Sequence, residues 1–290
     1  MRPRLYPSDT SDAEWALIEP LLPVPACQTR TGGRPEKHHR RDIIDAIRYV
    51  TDNASKWRAL PADFPPYQTV FGFFSRWTRA GVFNRVRDEL RCAIRLRAGR
   101  CPNPVAGVID SQSVRAAATV TGRSRSYDAG KKVPGRKRHL VVDTFGLLMM
   151  VMVTAAGQPD RDAARELLAR LRMLHPQLTL IWGDSAYAGT LVEWTRRFLH
   201  LTLKIVTKRP GQTGFKVLAR RWIVERTHSW MMNARRNVID FERKPSHSEA
   251  HLTIASITLM TRRLTRKRPP AWTREPGSAL QGASEAVACH

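Results

Sequence analysis

From Val105 to Val206 the order of hydrophobic runs leaves few folds open. Three short β-type runs follow one another directly, and two more are each preceded by an amphipathic segment of helical period. The first run, Val105-Ala-Gly-Val-Ile, ends on Asp110. The second and third, Arg138–Val142 and Leu147–Thr154, are joined by Asp143-Thr-Phe-Gly146, which has the composition of a hairpin turn. Asp160–Leu174 then has helical spacing, Leu178–Gly183 is apolar and runs into Asp184, an amphipathic piece lies near Leu191–Phe198, and a last run spans Leu203–Val206. An antiparallel meander feeding βαβ units is predicted. A right-handed crossover would lay the fourth run parallel to the first and beside it, so that Asp110 and Asp184 stand together at one edge of the sheet.

The first hundred residues have a different texture. Ser11-Asp-Ala-Glu14 has capping-box spacing ahead of Trp15, Ile18 and Leu22, with Pro20 limiting that helix. Pro35 can open a second helix, with Ile43, Ile44, Ile47 and Val50 as its apolar stripe and Lys37, Arg40, Arg41 and Arg48 on a cationic outer face. Tyr67–Arg79 carries Val70, Phe71, Phe74 and Trp77, and a further helix repeats apolar residues at Val82, Val86, Leu90 and Ile94. The expected organisation is a helical, DNA-binding part over 1–100, a catalytic part over 101–266 and a disordered Pro- and Gly-rich tail over 267–290. Helix, loop, helix suits a helix-turn-helix reader of DNA as well as an ordinary bundle packed on the next part, and the spacing singles out no recognition helix.

The 49 Lys and Arg stand against 25 acids, a formal net charge of +24, which repels itself unless it meets a polyanion. Double-stranded DNA is the expected partner. Cys27, Cys92, Cys101 and Cys289 show no Cys-x-x-Cys pair and read as reduced thiols. Neither a signal peptide nor a membrane span is evident, so a cytoplasmic, nucleoid-associated protein without membrane contact is expected.

A phosphodiester repels nucleophiles, and enzymes that cut it often clamp it with two ions about 3.5–4 Å apart. Hard ions such as Mg²⁺ take oxygen ligands, chiefly carboxylates. Asp110 and Asp184 each close a buried run, a placement most other acids of this chain lack. The third acid is expected from a later helix, Arg220-Arg-Trp-Ile-Val-Glu225-Arg-Thr-His-Ser-Trp-Met-Met. There Ile223, Trp230, Met231 and Ala234 cover one face, while Arg221, Ser229, Met232 and Arg236 fall near the line of Glu225. Glu225 can reach a metal while Arg221 and Arg236 reach phosphate; an ordinary surface ion pair between Arg221 and Glu225 is the plainer alternative.

Several segments in fixed order make the sequence resemble the bacterial DDE transposases of the insertion-sequence class-five family. They are Val108-Ile-Asp110-Ser-Gln-Ser, Tyr127-Asp-Ala-Gly-Lys-Lys-Val, Gly135-Arg-Lys-Arg-His139-Leu-Val-Val-Asp143-Thr-Phe-Gly, Asp160-Arg-Asp162, Trp182-Gly-Asp184-Ser-Ala-Tyr187 and Arg221-Trp-Ile-Val-Glu225-Arg-Thr. Asp12-Ala-Glu-Trp15, Gly33-Arg-Pro35, Trp57-Arg-Ala-Leu-Pro61 and Tyr67-Gln-Thr-Val70 look like that family's amino-terminal helical part, and the resemblance runs from about Ser8 to Leu264. It implies an α/β, ribonuclease-H-like mixed sheet, with Asp110, Asp184 and Glu225 holding two Mg²⁺ or Mn²⁺ ions. It also implies hydrolysis at the element's ends, attack of the freed 3′ hydroxyl on target DNA, and a homodimer or larger assembly holding both ends. The family's signature of Tyr, Arg, Glu and Lys keeps Arg221 and Glu225, but Leu218 and Met232 stand at the Tyr and Lys positions.

Arg123, Arg125, Lys131, Lys132, Arg136, Lys137 and Arg138 face a single acid, Asp128, within sixteen residues. Of these, Lys131, Lys132, Arg136, Lys137 and Arg138 are the expected phosphate contacts, with Gly130 and Gly135 allowing close approach; a charged hairpin is the alternative. Two further readings are a DNA-binding regulator without chemistry and a tyrosine recombinase suggested by His38-His-Arg-Arg41. The second fails because the last tyrosine is Tyr187. His247 and His251, at helical spacing, are expected at the surface.

Overall fold

The structure is a computed structural model that describes residues 2–30, 32–207 and 219–266. The tail at 267–290, Cys289 and Leu218 lie outside the described residues.

The amino-terminal part holds α1 (Asp12–Ile18), α2 (Arg40–Asn53), α3 (Tyr67–Arg79) and α4 (Val82–Arg97). The capping box forms as predicted: Glu14 N–H donates to Ser11 Oγ at 3.2 Å and Ser11 N–H to Glu14 Oε2 at 2.9 Å. Pro20 falls in the short 3-10 turn that ends α1. The second helix starts at Arg40 and not at Pro35: the backbone is still extended at the N-cap His39 (φ −62, ψ 136), and Glu36 before it pairs with the Arg40 guanidinium at 2.6 and 2.7 Å. Its outer face is not the cationic surface expected. Arg41 and Arg48 are buried: Arg41 donates to the Thr10 carbonyl at 2.7 Å and pairs with Asp12, and Arg48 faces Glu14 at 3.4 Å. The stripes Val70, Phe74 and Trp77 of α3 and Val82, Val86, Leu90 and Ile94 of α4 close the helical core as their spacing required.

That core has a member from far along the chain. Helix α8 (Pro245–Thr265) inserts Ala250, Ile254, Ile257 and Met260 among the amino-terminal helices, and nothing in the sequence reading anticipated it. His247 and His251 lie inside rather than at the surface. His251 Nδ1 meets Thr51 Oγ1 at 2.8 Å, and burial holds its imidazole well below the ordinary pKa.

The sheet comprises β1 (Ala106–Arg115), the short β2 (Ser126–Asp128), β3 (Val133–Asp143), β4 (Leu148–Ala155), β5 (Leu180–Gly183) and β6 (Thr202–Ile205). Helices α5 (Asp160–Leu174) and α6 (Thr190–Leu199) fall between the last strands, and α7 (Ala219–Met232) follows them. β3 pairs antiparallel with β1 on one side and with β2 and β4 on the other; β5 runs parallel to β1 and β6 parallel to β5. Three antiparallel strands followed by two strands parallel to the first is the ribonuclease-H-like order. The parallel register puts Val108 beside Trp182, as the crossover rule predicts.

The strand period of two decides what each face carries. Ile109 and Val141 point toward α5 and α6, into a core with Leu167, Leu171, Ile181 and Leu191. Val108, Leu140, Val142 and Trp182 point the other way and pack with Val224 and Met231 of α7 and Leu252 of α8. Two residues beyond Val108 and Trp182, on that same face, stand Asp110 and Asp184.

Candidate active site

Each acid is placed by a local cause. Asp110 does not end its strand as expected, because β3 pairs with β1 as far as Arg115; it lies two residues past the last β1–β5 pair, beside Asp184, which directly follows β5. Gly183 allows the end of β5 to settle: a Cβ there would lie 3.0 Å from both Ile109 Cγ2 and the Tyr187 ring. Asp184 then accepts the Ala186 N–H at 2.9 Å through Oδ1, which opens a single turn and leaves Oδ2 directed outward. Beneath it Tyr187 is buried, and burial, reinforced by Asp110, Asp160 and Asp184, keeps its phenol far above the ordinary pKa and therefore neutral.

Helix α7 brings the third acid. Val224 and Met231 seat its apolar side on the sheet, and Thr227, fully buried, donates to the Gly146 carbonyl at 2.7 Å. Gly146 has φ +78 in the β3–β4 turn, and a Cβ there would stand 2.9 Å from Thr227 Oγ1, so the turn and the helix fit only with glycine. Asp143 closes the same turn, accepting the N–H groups of Phe145 and Leu147, each at 2.9 Å, and the Arg95 guanidinium at 2.8 Å. No role for Asp143 or Thr227 was readable from the sequence. Their task is to fix α7 at a set height over the sheet.

Glu225 thereby lines one open cleft of about 540 Å³ together with Asp110, Gln112, Lys131, His228 and Met232. Every acid of the trio faces a nitrogen. His228 Nε2 lies 3.3 Å from Asp110 Oδ2, and the Arg221 guanidinium stands between Asp184 Oδ2 at 3.8 Å and Glu225 Oε1 at 3.4 Å. The side chains of Asp110, Asp184 and Glu225 remain 19, 26 and 42% exposed, open enough to receive a ligand. Among the described residues no three His, Cys, Asp or Glu side chains converge closely enough to enclose one ion. His228 was missed in the sequence, although Glu225-x-x-His228 is an (i, i+3) pair that had to share a helix face.

The basic residues divide sharply. Lys131 and Lys132 are exposed; the Lys131 ammonium donates to the Ser111 carbonyl at 3.0 Å, at the rim of the cleft. Lys137 is buried beside Asp160 and Asp128, at 3.3 and 3.6 Å, and donates to the Gln158 carbonyl. Arg136, expected on phosphate, has no exposed surface and is saturated internally by Asp240, Ser124, Glu242 and Arg243. Arg138 is buried against the Asn237 carbonyl, and burial draws its pKa down to about 10, which leaves it cationic at neutral pH. Arg236 lies beyond the end of α7 and is bound to Glu242 and the Ser55 carbonyl, so it does not extend the line of Glu225. Lys137, Arg136, Arg138 and Arg236 are thus tied up inside the fold, where no DNA phosphate reaches them. Gly135 serves the same interior: a Cβ there would collide with the Val114 carbonyl across the β1–β3 pair, so its smallness is required by strand pairing. No helix among the described residues is long and apolar enough to cross a membrane.

Comparison with known proteins bears on this arrangement. A family described as "Transposase DDE domain" matches residues 102–260, the span that builds the sheet, α7 and most of α8. A second, described as "Putative transposase of IS4/5 family", matches residues 10–87. Among curated proteins the chain is 26% identical over 193 residues to a "Putative transposase for insertion sequence element IS402" from Burkholderia cepacia, covering 58% of this chain and 90% of that protein. It is also 31% identical over 107 residues to an IS402 uncharacterized 16.2 kDa protein of the same organism, covering 36% of this chain and 71% of the relative. Among solved structures the catalytic core domain of BIV integrase aligns with 16% identity and a TM-score of 0.32, over 54% of this chain and 84% of that one. With the DDE domain matched over more than half of its length, the chain belongs to the DDE transposases of bacterial insertion sequences.

Proposed function

We propose that this transposase binds the terminal inverted repeats of its own element, cleaves the DNA ends in a reaction that depends on divalent metal, and joins the freed 3′ ends to target DNA. The observation that carries this reading is the delivery of three carboxylates, Asp110 midway along β1, Asp184 just past the end of β5 and Glu225 on α7, to one side of the sheet where each faces a side-chain nitrogen at 3.3 to 3.8 Å. Asp110, Asp184 and Glu225 would hold the two ions. An all-oxygen donor set suits Mg²⁺ or Mn²⁺, and the guanidinium of Arg221 between Asp184 and Glu225 marks a place that accepts positive charge. When bound, such ions stabilise charge on the phosphoryl group being transferred.

The chain's own groups do the positioning. Lys131 at the rim would hold a phosphate, Arg221 would keep the two carboxylates aligned or move onto the DNA, and Thr227 would fix the height of Glu225. Residues 1–100 would supply DNA binding and 101–266 the chemistry, in a homodimer or larger assembly in the cytoplasm that holds both ends of the element.

A duplex bearing the inverted repeats that flank the gene tests the reading. Mg²⁺-dependent nicking at the element boundary is expected from the wild type. Asp110→Asn, Asp184→Asn and Glu225→Gln should each reduce it by about a thousandfold or more while duplex binding persists. A wild-type protein that binds these ends yet never nicks them in Mg²⁺ or Mn²⁺ would instead be a DNA-binding regulator.

A further inference from the structure

Behind α7, on the side away from Glu225, a cavity of about 310 Å³ opens between α2, α7 and α8, a volume at the lower end of the range of small-molecule sites. Four guanidinium side chains line it, Arg48, Arg262, Arg263 and Arg266, against one acid, Asp52. A cavity with this excess of positive charge calls for an anion.

Arg48 adds an independent sign. It is 3% exposed, and although one terminal nitrogen faces Glu14 at 3.4 Å, its Nε and Nη1 have no hydrogen-bond partner among the described residues. Buried N–H groups of a charged side chain are costly to leave unmade. The cost is visible in its titration, since burial pulls the guanidinium below its ordinary pKa; Glu14 offsets this, and the neighbouring charge of Arg262 adds to it. Arg262, itself exposed, donates to the Pro7 carbonyl at 2.9 Å, which ties that wall of the cavity to the amino-terminal segment.

We propose that this cavity is a second ligand site, which binds a phosphate group by the forks of Arg48, Arg262 and Arg266. Planar guanidinium pairs match phosphate oxygens two at a time, and the several oxygens of a phosphate can serve more than one such fork at once. The phosphate could belong to the DNA backbone or to a free phosphate compound. The site does not depend on the carboxylate cleft, and its test needs no cleavage.

Calorimetric titration of the full chain with inorganic pyrophosphate, in EDTA and at fixed ionic strength, should give saturable one-site binding. Arg262→Gln combined with Arg266→Gln, at positions outside the buried core, should weaken it at least tenfold, while Arg196→Gln, which removes an exposed charge paired with Glu193, should change it less than twofold. Arg48→Lys keeps the charge but loses the fork and should also weaken binding several-fold. Absence of saturable binding, or equal affinity in the wild type and the double variant, would overturn the proposal without touching the cleavage reading. Adding a short duplex separates the sources: displacement of pyrophosphate identifies a backbone phosphate, and simultaneous binding identifies a free one.

Discussion

The acids at the open edge of the sheet and those folded inside it differ less in sequence surroundings than in what meets their oxygens. Asp143 and Asp240 have side chains with no exposure, and every oxygen is used: Asp143 takes two backbone N–H groups and Arg95, while Asp240 takes Arg136, the Glu242 N–H and Ser248. Asp110, Asp184 and Glu225 are partly open; apart from the Ala186 N–H on Asp184 Oδ1 at 2.9 Å, the side-chain nitrogens they face lie at 3.3 to 3.8 Å, too far to satisfy a carboxylate. Interior acids are finished by the protein. The edge acids are left with lone pairs to offer, which is what distinguishes a ligand from a structural counter-ion.

The largest expected effect separates the two sets directly. Asp240→Ala strands the Arg136 guanidinium in a site without solvent and should cost about 3–5 kcal/mol of unfolding free energy, as removal of one partner from a buried pair does. Asp110→Asn and Glu225→Gln should cost less than about 1 kcal/mol, because each keeps the shape of its side chain and gives up only a contact of 3.3 to 3.4 Å. Urea unfolding of the three variants reads both numbers. A Glu225→Gln variant as unstable as Asp240→Ala would make that acid a structural residue.

A smaller effect comes from pH. Burial drives His139 to a pKa of about 4, so it is neutral in the fold, while in the unfolded chain it titrates near 6.5. Above pH 6.5 it is neutral in both states and costs nothing. Between about 6.5 and 4 the unfolded chain binds a proton that the fold excludes, and stability should fall by up to about 1.4 kcal/mol per pH unit. His175, also lowered to about 4 by burial, adds in the same direction. Urea midpoints from pH 7 to 5 should show the decline, and His139→Gln should flatten it relative to the wild type; an identical slope in that variant would mean that His139 is protonated in the fold.

The contrast between edge and interior also explains which features the sequence exposed. Asp110, Asp184 and Glu225 stood out because each follows an apolar run or borders a helix stripe, and short-range spacing records that, although β1 runs on to Arg115 past Asp110 because β3 continues to pair with it. Arg136 and Arg138 looked like surface cations because what buries them, the segment around Asn237 to Arg243, lies about a hundred residues further on. Local pattern cannot encode a lid supplied from so far away. Helix α8 was invisible for a related reason. It is enclosed by the amino-terminal helices on one side and the sheet on the other, so Ser248, Thr253 and Ser256 are buried beside Leu252 and Ile257 and no polar stripe remains. Strand β3 extends five residues further toward the amino terminus than its apolar run, because lysine and arginine continue the pairing once partners exist for them.

The smallest effect concerns the cations that remain outside. Lys131 and Lys132 are exposed beside the cleft, whereas Arg138 on the adjoining strand is enclosed and held by the Asn237 carbonyl. If phosphate contacts come from the exposed pair, Lys131→Ala with Lys132→Ala should weaken duplex binding several-fold and reduce the slope of log K against log salt by up to about 2, close to one unit per lost contact. Arg138→Gln removes an interior charge and should leave that slope unaltered, although it loosens the fold. Binding isotherms at four salt concentrations for the wild type and both variants separate these effects. A slope that drops for Arg138→Gln and stays fixed for the double variant would mean that DNA binding opens the segment over β3, and that the interior charges are held in reserve for DNA.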